Sequence, residues 1–145
     1  MNATFLYRVA GSLLFVFAAA NASWCFYFLH ATASMTPVRF PFGHNGLSYA
    51  QIVFGLEVFC SLCVLFAAYL AWHLGALART TPQAAGMLGW VLLAYQAAGT
   101  FVALFYLSGF AFVIAAVAAI CTAWANSLAG SAPTTSTSAS FTNAR

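Results

Sequence analysis

Four apolar runs, each long enough to cross a lipid bilayer as a helix, take up most of this chain. A hydrocarbon layer about 30 Å thick requires roughly 20 residues of α-helix. The runs cover about residues 5–29, 49–72, 84–106 and 110–128. The stretch from Ala84 to Leu128 is too long for one crossing, and Leu107-Ser108-Gly109 provides the tight turn that divides it. Lipid cannot satisfy a backbone amide, so a run of this kind closes its hydrogen bonds within itself as a helix. A transmembrane barrel would alternate in polarity over segments of about ten residues, whereas these runs are apolar on every face.

Charge removes the competing classes. Only 3% of the 145 residues are charged, and 64% are hydrophobic. A soluble domain carries about 25% charged residues, and disorder needs the reverse of this composition. The expected fold is therefore all-α, a polytopic membrane protein built as a four-helix transmembrane bundle over residues 1–130. The Ser/Thr-rich segment 131–145 reads as a disordered tail. Arg8, Arg39, Arg79 and Arg145 are scattered along the chain, so they form no nucleic-acid surface. Cys25, Cys60, Cys63 and Cys121 all lie in apolar runs, unlike a secreted disulfide framework.

With four spans, Arg8, Arg79 and Arg145 share one side and Arg39 lies alone on the other. The positive-inside rule then puts both termini on the cytoplasmic-type side of a bacterial inner membrane or an organellar membrane. Residues 1–22 also fit a cleavable signal peptide ending in Ala20-Asn21-Ala22. The apolar run continues to Leu29, which favours its retention as a span. The connection from His30 to Ser48 contains Pro37, Pro41, Gly43 and Gly46, and reads as an ordered or partly re-entrant loop. Pro82 suits the start of the third helix, where its missing N–H is not needed. Tyr27, Tyr49, Trp72, Trp90 and Tyr106 stand near run ends, as in an aromatic belt.

Glu57 is the only acidic residue. A carboxyl inside a span is costly and faces the bundle interior, so it marks a candidate site for a proton or ligand. Depth matching across antiparallel spans gives Asn21, Ser23 and Cys25 on the first helix as neighbours, with Gln96 and Thr100 on the third. The structural alternative is an interhelical clamp, in which Glu57 bonds the Gln96 or Asn21 amide. On the second helix, Glu57, Cys60, Ser61, Val64, Ala67, Ala68 and Ala71 form a stripe of mostly small residues that invites close packing.

Cys60-Ser61-Leu62-Cys63 is a CxxC inside that span. Two thiols at this spacing can serve redox chemistry, although apolar burial works against thiolate formation and packing is the simpler role. The pattern resembles that of the vitamin K epoxide reductase family, a four-helix membrane fold with a CxxC near a quinone pocket. That family also uses a loop-borne cysteine pair, which residues 30–48 lack. His30 and His44 could join Glu57 at a metal only if the first loop folded inward, and no fixed spacing supports that. No motif calls for a cofactor. None is expected, and a quinone or a lipid is the ligand class left open.

Arg8-Val9-Ala10-Gly11 with Phe15, followed by Gly55-Leu56-Glu57, is similar to the DoxX-like group of small four-helix membrane proteins. The similarity spans roughly residues 7–128. It implies a bundle more than a reaction. Asn21 and Ala22 stand where that group usually has a Gly-x-x-Lys type ending. An excess of bulky apolar side chains, Phe above all, with little sequence outside the spans points to a non-catalytic accessory or assembly subunit, whose partners are the bilayer and either other membrane subunits or further copies of itself. A thiol/quinone oxidoreductase using Cys60, Cys63 and Glu57 is one alternative. A small proton or apolar-ligand carrier centred on Glu57 is the other.

Overall fold

The apolar runs form four helices: α1 (Ala3–Thr32), α2 (Tyr49–Thr80), α3 (Pro82–Tyr106) and α4 (Gly109–Gly130). A computed structural model describes residues 2–32, 39–40, 47–106 and 109–131. All four helices are long and apolar enough to span a membrane, and the fold is an all-α four-helix bundle of a small integral membrane protein. Most of the first connection, the Leu107-Ser108 turn and residues 132–145 of the tail lie outside the described residues.

Local sequence explains where the helices start and stop. Ser48 caps α2 in a capping box: its Oγ accepts from the Gln51 N–H at 3.3 Å, and Gln51 Oε1 accepts from the Ser48 N–H at 2.9 Å. Just before it, β1 (Arg39–Phe40) pairs antiparallel with β2 (Leu47–Ser48), with Arg39 opposite Ser48. At the far end only Thr81 separates α2 from α3. Its N–H donates to the Leu77 carbonyl at 2.8 Å, and its own carbonyl accepts from the Ala85 N–H at 3.1 Å. One residue thus ends one helix and begins the next, and Pro82 occupies the first position of α3.

The second helix therefore continues well past its expected end at Trp72. His73 and Arg79, which read as connection, sit in its last two turns. At 1.5 Å per residue, 32 residues extend about 48 Å, against about 30 Å of hydrocarbon. The polar end of α2 can thus reach the headgroup zone without breaking the helix.

Helix α1 packs against both α2 and α4, and α3 packs against α4. The up-and-down ring runs α2–α1–α4–α3 and closes loosely between α2 and α3. The α1–α2 seam is tight because glycines stand at two of its levels. A Cβ on Gly11 would lie 3.1 Å from the Ala68 carbonyl, and one on Gly75 would lie 3.2 Å from the Thr4 carbonyl. The core is largely alanine: Ala10, Ala71, Ala85, Ala118 and Ala125 are fully buried. Small side chains let the helices approach until van der Waals contact accumulates, which drives association where lipid removes the hydrophobic term. Phe15, Phe26, Phe59, Phe66 and Phe101 face outward.

Candidate functional site

The α1–α2 seam that joins Gly11 to Ala68 also brings Asn21 to Glu57. The Asn21 Nδ2 donates to Glu57 Oε2 at 3.1 Å and to Ser61 Oγ at 2.8 Å. Ser61 in turn donates to the Glu57 carbonyl at 2.9 Å, one helical turn back. Glu57, Asn21 and Ser61 are all half-buried. The carboxyl retains acceptor capacity beyond the Asn21 bond. The trio is thus both a cross-helix clamp and a place where a hydrogen-bond donor could be held. Of the other first-helix neighbours, Cys25 is buried, and Ser23 is exposed and bonds back to the Ala19 carbonyl at 2.9 Å.

Gln96 and Thr100 do not join this trio. Thr100 donates to the Gln96 carbonyl at 2.8 Å, within its own helix. The buried Gln96 side chain has no hydrogen-bond partner among the described residues. The reason is the length of α2. With Thr81 as the pivot, Phe105 lies as far after the turn as Glu57 lies before it, so Gln96 sits about two and a half turns away in depth.

A second polar cluster, absent from the sequence reading, holds the other end of the bundle. Tyr7 donates to Asn126 Oδ1 and approaches the Ala85 carbonyl at 3.4 Å. Tyr7 and Thr122 are fully buried and Asn126 nearly so. Gly89 makes room for them, since a Cβ there would overlap both Asn126 Oδ1 and the Tyr7 hydroxyl. The available signal was the pair Thr122 and Asn126, four apart in an otherwise apolar run and so on one helix face.

The two thiols of the CxxC differ in exposure. Cys60 is exposed, so it leaves the expected small-residue stripe, while Cys63 is half-buried; both are free. Cys63 lines an apolar groove of about 450 Å³ between α2 and α3, together with Phe66, Leu70, His73, Leu92 and Tyr95. His30 is exposed in the last turn of α1, and His44 lies outside the described residues. No group of three metal-ligating side chains occurs among the described residues.

Comparison with protein-family models, with curated proteins and with solved structures gives no match for this chain.

Proposed function

We propose that this chain is a small accessory or assembly subunit of a larger membrane complex, with no catalysis of its own. One observation carries the reading. Five polar side chains pair with one another between helices, through Tyr7–Asn126 and Asn21–Glu57–Ser61, while the outward faces present large aromatic groups. Such a surface suits intramembrane contact with another apolar protein face, where shape and van der Waals packing decide specificity. Arg8 near the start of α1 and Arg79 at the end of α2 put positive charge at the end of the bundle where α1 begins and α4 finishes, so that end is read as the cytoplasmic-type side. Extraction from the native membrane in a mild detergent tests the proposal. A stoichiometric partner should copurify, and a monodisperse, partner-free monomer would refute it.

The groove between α2 and α3 supports a second reading. Cys63 faces an apolar space of ligand size, which fits a thiol pair serving a quinone-type molecule. Two thiols would become a disulfide and pass two electrons and two protons to the quinone. Alkylation mass spectrometry decides this: Cys60 and Cys63 that stay reduced when the membrane quinone pool is oxidised would end it.

A further inference from the structure

We propose that the outer α1–α2 seam binds an anionic glycerophospholipid, with one acyl chain along the groove and the phosphodiester at Arg8. The groove encloses about 490 Å³, within the range of about 300–1,000 Å³ seen for ligand sites. Its walls are helix faces that run with the span. On α1, Ser12 and Phe15 follow Arg8 at four and seven residues. On α2, Tyr69 and Leu65 lie three and seven residues before Trp72. These spacings keep each set on one side of its helix, so the floor is a lengthwise apolar strip beside the bilayer.

Charge complementarity identifies the occupant. The Arg8 guanidinium lies over the Trp72 ring at 5.5 Å, where cation–π attraction and the packed stem fix it. Gly75 lets that stem pass, with a would-be Cβ 3.4 Å from Arg8 Cγ. Arg79 is one turn beyond Gly75 and seven residues from Trp72, on the same face. Arg8 therefore stands beside the groove at Trp72, and the exposed Arg79 follows about 10 Å farther along α2. The only acidic side chain, Glu57, is bonded to Asn21, thirteen residues along α1 from Arg8 and so roughly 20 Å away. A basic mouth above an apolar strip matches a negative headgroup above a hydrocarbon chain, and basic pockets between spans take such headgroups. This inference does not depend on the proposed accessory role.

Native mass spectrometry of the delipidated full-length protein, given equal dioleoyl-phosphatidylglycerol and dioleoyl-phosphatidylcholine, provides the test. The unmodified protein should retain the anionic lipid roughly tenfold over the zwitterionic one. Arg8→Gln should bring the two close to parity, while Arg39→Gln, which removes the same charge from β1, should leave the preference intact. Ser12→Trp keeps both arginines but fills the groove, and should lose the retained lipid. Equal retention of the two lipids by the unmodified protein would overturn the proposal whatever the variants do. So would an Arg39→Gln effect as large as that of Arg8→Gln, or full retention by Ser12→Trp.

Discussion

The Tyr7 hydroxyl donates to Asn126 Oδ1 and so ties the first helix to the last across 119 positions of sequence. Both groups are buried where neither water nor lipid can replace the partner. Tyr7→Phe should therefore destabilise the bundle by about 1–3 kcal/mol, because it leaves the Asn126 carbonyl oxygen unpaired beside an amide nitrogen that already has no partner among the described residues. Reversible unfolding in mixed detergent micelles measures this. The double variant Tyr7→Phe, Asn126→Leu should recover part of the loss, since removing both partners spares the unpaired group.

Gly89 is the space that this bond occupies. Gly89→Ala should cost about 1–3 kcal/mol through overpacking, because the added methyl group meets both oxygens of the pair. The cost should shrink in a Tyr7→Phe background, where one of the two obstructing atoms is gone. A thermal-shift series over the four combinations reads the coupling, and strictly additive losses would show that the hydroxyl is not the obstruction.

Gln96 presents the opposite case. Its amide is buried without a hydrogen-bond partner among the described residues, a condition that costs free energy. Gln96→Leu keeps the volume close and removes the unpaired atoms, so it should raise stability by about 1–2 kcal/mol. The Thr100 bond to the Gln96 backbone carbonyl survives the change. A lower midpoint of unfolding for Gln96→Leu would mean that the amide does have a partner.

The fates of Gln96 and Asn21 show what was legible in the sequence. Both were expected near Glu57 on depth alone, and only Asn21 bonds it. Depth between α1 and α2 was well anchored, because small residues fix that seam at Gly11 and Gly75. Depth between α2 and α3 was not, because His73 and Arg79 read as connection when they are helix. A helix can carry polar groups once it leaves the hydrocarbon, so hydropathy alone places its end too early. The Tyr7–Asn126 pair was invisible for a different reason. Two isolated polar residues at opposite ends of a chain have no shared spacing, and only the ring order of the helices brings them together. The four spans themselves were plain, since each apolar run must satisfy its backbone in the same way.

Asn21 and Glu57 hold α1 to α2 at the opposite end from Tyr7. Polar pairs between membrane helices contribute about 0.6 kcal/mol on average and up to about 1.7. A double-mutant cycle of Asn21→Ala and Glu57→Ala should give a coupling within that range, read from unfolding midpoints in mixed micelles. Ser61→Ala should lower the cost of Asn21→Ala, because Asn21 donates to Ser61 Oγ as well as to the carboxyl. Glu57→Gln should cost less than Glu57→Ala, since the amide oxygen still accepts from Asn21 Nδ2. If Glu57→Gln and Glu57→Ala were equally destabilising, the seam would depend on the charge or packing of Glu57 and not on its hydrogen bond.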